Sequence, residues 1–183
     1  MPPHAPKRHI RLDSGNIIAT DRHYGVWLPT SFCTGMALHK PGQPGAVVGH
    51  RAYLSRGCFR ESPTGATLGR LNAGEVVNLE EKYSHPSDFI ALMRSGAERF
   101  GDPAKMTLTI MPGNMPDMDV VRHIAESARE AKNAGHIADF SILRATNGKM
   151  HRVQATDGTI HLEDIRALLG RFGKKPNESE WIE

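Results

Sequence analysis

Residues 106–155, MTLTIMPGNMPDMDVVRHIAESAREAKNAGHIADFSILRATNGKMHRVQA, carry the strongest structural signals in the 183-residue chain. Met106 to Met111 alternates as a strand does, and Pro112-Gly113-Asn114 breaks it. From Asp117 the apolar residues Val120, Val121, Ile124, Ala128 and Ala131 recur at helical spacing, and Gly135 is a helix stop. Two strands follow, Ile137 to Ala145 and Lys149 to Ala155, joined by Asn147-Gly148, the strongest short hairpin signal. Asp157-Gly158 turns the chain again. Leu162, Ile165, Leu168, Leu169 and Phe172 then predict a last helix over about 162–172, with Glu163 and Asp164 at its start, where the helix dipole favours acids. Strand, helix, strand, strand, helix is most of a ferredoxin-like split βαβ unit lacking a final strand.

Outward from this stretch, residues 9 to about 60 have a β texture. His9 to Leu12 alternates, Ser14-Gly15-Asn16 is a turn, and Ile17 to Leu28 reads as one longer strand. Two prolines and two glycines make Lys40 to Gly45 a loop, and Ala46 to Phe59 reads as a further strand interrupted at Gly49 and Gly57. His85-Pro86 opens a helix whose Phe89, Leu92, Met93, Gly96 and Phe100 share a face before Gly101. The predicted class is therefore α+β: a flexible basic arm over 1–8, a β-rich part over 9–83, and an α+β part over 84–175 packed on it as one domain. An acidic tail occupies 176–183.

Composition excludes several classes. Hydrophobic residues at 39% and charged residues at 23% can support a packed core, which argues against wholesale disorder. No apolar stretch follows the basic N-terminus and none approaches membrane-spanning length, so neither a leader nor a membrane partner is expected, and the cytoplasm is the default location. Two cysteines are too few for a disulfide scaffold. The chain lacks Gly-x-x-x-x-Gly-Lys-Ser/Thr, Gly-x-Gly-x-x-Gly, His-Glu-x-x-His and Gly-x-Ser-x-Gly. No cofactor is therefore expected.

Charge suggests an anionic partner. Residues 1–61 carry eight Lys or Arg against three acids. With a two-residue hairpin loop, Thr146 would face Lys149, Arg144 would face His151, Ile142 would face Val153 and Phe140 would face Ala155. The tip would then be basic and free of acids, able to neutralise phosphates through Arg144, Lys149, His151 and Arg152. The arm, with Lys7, Arg8 and Arg11, could lie along a nucleic-acid groove. The first functional expectation is thus a non-catalytic nucleic-acid-binding protein, or an accessory subunit of a nucleic-acid-handling complex, contacting phosphates through these seven residues. A protein-interaction module without nucleic acid is the alternative, and exposed, solvated charge explains the same pattern.

A third expectation is a small His/Cys-dependent hydrolase or ribonuclease. Cys33 or Cys58 could be a nucleophile activated by one of the ten histidines. His151 beside Arg144 could serve acid–base cleavage of RNA. Cys33, His39, His50 and Cys58 are zinc-ligand types, but their spacings miss the usual short knuckles, so two inert cysteines and no metal are expected.

Overall fold

The computed structural model describes residues 8–21, 23–51, 64–79 and 85–164. Among them, ten strands and three α-helices form a mixed α+β fold in two sheets. The strands are β1 (Arg8–Arg11), β2 (Asn16–Thr20), β3 (Tyr24–Leu28), β4 (Thr34–His39), β5 (Ala46–Arg51), β6 (Val77–Asn78), β7 (Thr107–Pro112), β8 (Asp139–Ile142), β9 (Lys149–Gln154) and β10 (Thr159–Asp164). The helices are α1 (Gly65–Asn72), α2 (Pro86–Ala97) and α3 (Met118–Asn133).

The larger sheet runs β6-β2-β5-β4-β7-β8 and the smaller β1-β3-β9-β10. All pairs are antiparallel except β7–β8 and β1–β3. Both halves of the chain contribute strands to each sheet. The layering follows from side-chain alternation. Met36, Leu38 and Val47 point to a core shared with Phe89, Leu92 and Met93 of α2 and Val120 and Ile124 of α3. Ala37, Ala46 and Val48 point the other way, to a core shared with Ile10, Val26, Leu28 and Val153 of the smaller sheet. The result is helices, six strands, then four strands. Strands β4 and β5 are buried along their whole length because both faces are covered.

Local signals act as the residues suggest. Asp117 caps α3 by accepting from the Asp119 and Val120 amides, and Pro86 sits in the first turn of α2. Gly96 lets α2 approach α1: a Cβ there would lie 2.9 Å from the Leu71 side chain. No helix among the described residues is long and apolar enough to cross a membrane.

Four expectations need correction. Asn147-Gly148 does turn, with Gly148 at φ 75° and the Lys149 amide donating to the Thr146 carbonyl. The flanking segments, however, do not pair. β8 lies parallel to β7 in the larger sheet, while β9 pairs with β3 and β10 in the smaller. Phe140 packs on the helix-side core and Val153 in the inter-sheet core. One hairpin cannot deliver two side chains to different layers, so residues 143–148 cross between the sheets instead.

The second correction concerns topology: β7-α3-β8 is a plain crossover with its two strands adjacent, so the split arrangement of a ferredoxin-like unit is absent. Third, the stretch 17–28 is two strands in different sheets, broken where Asp21 Oδ1 accepts from the His23 amide. Fourth, residues 162–164 finish β10 rather than start a helix. The alternation Thr159-Ile160-His161-Leu162 pairs with β9 across the Asp157-Gly158 turn, and Ile160 joins the inter-sheet core. The rest of that expected helix, the acidic tail over 176–183 and residues 1–7 of the arm lie outside the described residues.

Candidate active site

Of the seven residues expected to bind phosphate, Lys7 and the Arg8 side chain lie outside what is described. Arg11 is ion-paired with Asp13 at 3.0 Å. Arg144, on the crossover, donates to the Asn114 carbonyl at 2.9 Å. Lys149 is exposed at the start of β9. Arg152 pairs with Glu163 and lies 5.4 Å over the Trp27 ring. His151, at 0% exposure, is interior. Its Nε2 contacts the Leu143 carbonyl at 2.6 Å and its Nδ1 the Thr30 hydroxyl at 3.1 Å. With both ring nitrogens engaged, His151 has no free nitrogen to offer a phosphate or to serve as a ribonuclease base.

The zinc grouping also comes apart. His39 stands opposite Ala46 and His50 opposite Gly35, at two ends of the β4–β5 ladder. Four residues of strand put them roughly 13 Å apart, too far to share one ion. His39 instead bonds the Thr109 hydroxyl at 2.8 Å. Among the described residues no three His, Cys, Asp or Glu side chains are placed to hold a metal; Cys58 is not among them.

Strand alternation does set Cys33 and His50 on one face of the sheet. Cys33 immediately precedes β4, two residues before Gly35, so strand alternation directs it to the same inter-sheet face as His50. Gly35 adds no side chain between them, and a Cβ there would meet Leu28 Cδ1 at 2.9 Å. One turn grips both residues. The Leu12 carbonyl contacts His50 Nδ1 at 2.7 Å, the Gly15 amide donates to the His50 carbonyl at 2.7 Å, and Ser14 hydrogen-bonds the Cys33 thiol.

This arrangement sets the proton inventory. A carbonyl only accepts, so Nδ1 of His50 carries the hydrogen and Nε2 keeps its lone pair. His50 is 2% exposed, and Nε2 has no hydrogen-bond partner among the described residues, Cys33 included. Burial pushes the His50 pKa down; the Leu12 bond and Asp13 oppose this, and Arg11 adds to it. Burial pushes the Cys33 thiol up, against the Ser14 bond. The resting pair is thus a neutral thiol and a neutral imidazole with one spare basic nitrogen.

The loop from β3 to β4 completes the site. The Ser31, Phe32 and Cys33 carbonyls accept from the amides of Met115 (3.0 Å), Asp117 (3.4 Å) and Gly113 (3.1 Å). In a trans peptide the next N–H points opposite to the carbonyl, so the Phe32 and Cys33 amides are directed away from that loop. Among the described residues these two amides have no acceptor. They can donate to an oxygen carrying developing charge beside Cys33. Phe32 and Met115, 51% and 59% exposed, give the approach apolar surface.

Sequence reasoning raised Cys33 as a nucleophile but did not choose its histidine. The signal was present: a loop at 40–45 between two strands folds 34–39 back on 46–51 and sets Gly35 against His50. No family model matches the chain, and no curated protein is found to be similar to it.

Proposed function

We propose that the chain is a thiol-dependent hydrolase acting by acyl transfer, with Cys33 as nucleophile and His50 as general base. One observation carries this: a deeply buried histidine whose Nδ1 is fixed by Leu12 keeps an unpartnered Nε2 on the sheet face it shares with a half-buried cysteine. Leaving a buried polar atom unpaired costs about 1–3 kcal/mol, so the fold carries this nitrogen at some expense of stability.

In the reaction the Cys33 thiol leaves Ser14 and gives its proton to His50 Nε2 as sulfur bonds the substrate carbonyl carbon. The carbonyl electron pair moves to oxygen, where the Phe32 and Cys33 amides donate to it. Collapse expels the leaving group, which takes the proton from the imidazolium, and a thioester remains. Water, deprotonated by His50, then releases the carboxylic acid and restores the thiol. Contact between apo catalytic groups commonly tightens only with substrate bound, consistent with the missing direct hydrogen bond. Phosphate binding by the arm and hairpin is less well supported, since His151 is interior and Arg11 and Arg152 are ion-paired.

The test is hydrolysis of p-nitrophenyl acetate by protein carrying Cys58→Ser. The expected result is turnover with an acetyl adduct on Cys33 by mass spectrometry. Cys33→Ala should abolish it, and His50→Ala should slow it by about 10²-fold or more. Equal rates in all three proteins would refute the assignment.

A further inference from the structure

Resting on that assignment, we propose that His151 and Thr30 form a positioning pair that holds the Cys33 loop in register with His50. The loop Pro29 to Cys33 leaves β3 in one sheet and enters β4 in the other, so its residues before Cys33 belong to neither ladder. Two supports hold them.

On one side, the carbonyls of Ser31, Phe32 and Cys33 are bonded to residues 113–117. Gly113 is pressed so close that a Cβ would lie 2.3 Å from the Ser31 oxygen and 2.6 Å from the Thr30 oxygen. On the other side, His151 holds Thr30 from within the smaller sheet, where it faces Leu28 across the β3–β9 ladder. The direction of each bond follows from chemistry. The Leu143 carbonyl can only accept, so Nε2–H of His151 donates to it. Nδ1 of the neutral ring is then an acceptor, and the Thr30 hydroxyl donates to it. Burial holds His151 in the neutral form this needs, with the Leu143 bond opposing.

The same ring therefore ties down two of the connections that cross between the sheets, 29–33 through Thr30 and 143–148 through Leu143. Thr30 is three residues from Cys33, and its bond to His151 is buried. His151 is a positioning residue: it contacts neither the thiol nor His50. Leu28 links the two clusters, since it pairs with His151 and would touch any side chain added at Gly35, the cross-strand partner of His50.

The experiment measures coupling rather than activity, because a purely structural contact would lower stability without changing how much His50 matters. Cys33 labelling by iodoacetamide at neutral pH is followed by mass spectrometry in the Cys58→Ser background. It is compared for Thr30, Thr30→Ser, Thr30→Val and Thr30→Ala, each with and without His50→Ala, and thermal unfolding checks that each protein is folded. With Thr30 or Thr30→Ser, His50→Ala should slow labelling by about ten-fold or more. With Thr30→Val or Thr30→Ala, labelling should already be slow, and His50→Ala should change it by less than about two-fold. If His50→Ala slows labelling as much in either folded hydroxyl-less protein as in the parent, the positioning role is overturned while the Cys33–His50 assignment stands. If His50→Ala has no effect in the parent, the assignment itself fails and takes the positioning role with it. Thr30→Ala, which adds no bulk, reads the outcome should Thr30→Val not fold.

Discussion

The two ends of the layer between the sheets are closed in different ways. At one end the Lys40 to Gly45 loop meets the β9–β10 turn through backbone: the Gly42 amide donates to the Asp157 carbonyl and the Gly45 amide to the Ala155 carbonyl. Gly158 lies so near that a Cβ would fall 2.5 Å from the Lys40 oxygen. At the other end, buried side chains join the backbone bonds donated by the Gly15 and Gly113 amides. His151 there uses both ring nitrogens, whereas His50 uses one. The two histidines are equally inaccessible to solvent and lie on either side of Leu28, yet they differ by a single hydrogen bond. Backbone closure and a saturated histidine build structure. A spare buried nitrogen beside a cysteine costs stability and leaves a chemical capacity unused by the fold.

Substitutions along this contrast should fall in a definite order. Gly158→Ala should cost most, more than about 2 kcal/mol, because φ is 66° and the new Cβ meets backbone rather than a yielding side chain. His151→Leu should cost about 2–3 kcal/mol by orphaning the Thr30 hydroxyl and the Leu143 carbonyl. His50→Leu should cost only about 1 kcal/mol or less, since losing the Leu12 bond is offset by removing the unpaired Nε2. Urea unfolding of the three proteins gives the order directly. A His50→Leu loss as large as that of His151→Leu would show that His50 is as structural as its counterpart.

A smaller effect concerns pH. Burial lowers the pKa of His39, His50 and His151 below the ordinary value near 6.5. The unfolded chain then binds these protons more readily than the folded one. Their stability contribution is complete above about pH 6.5 and is lost as pH falls below it, by up to about 1.4 kcal/mol per pH unit for each group. His151→Leu should therefore flatten the fall in urea midpoint between about pH 6.5 and 5 relative to the wild type. Parallel curves would mean that His151 is charged in the folded protein.

Most of the local structure was legible in the sequence, because it depends on local chemistry. Asp117 capping α3, Pro86 opening α2 and Gly148 at positive φ follow from their own side chains or lack of one. Pairing was less legible. Asn147-Gly148 specifies a turn but not what its arms pair with, and here the layers claimed Phe140 and Val153 separately. Leu162 belonged at once to a period-two and a helical pattern, and pairing with β9 decided for the strand. The site was legible only in part. Cys33 and His50 are ordinary in sequence, and what marks them is the β4–β5 register with the Leu12–Gly15 turn beneath it. His151 misled for the complementary reason: its basic neighbours suggested a surface, whereas its place opposite Leu28 buries it.

The most direct measurement is the pH dependence of iodoacetamide labelling at Cys33 in Cys58→Ser protein, with His50 intact and with His50→Ala. A buried thiol without a base should react appreciably only well above neutral pH, as the thiolate forms. If His50 accepts the proton, the protein with His50 intact should label readily near pH 7, and His50→Ala should shift the whole profile to higher pH. Superimposable profiles would contradict the account, because they would mean that the spare nitrogen of His50 never reaches the Cys33 thiol.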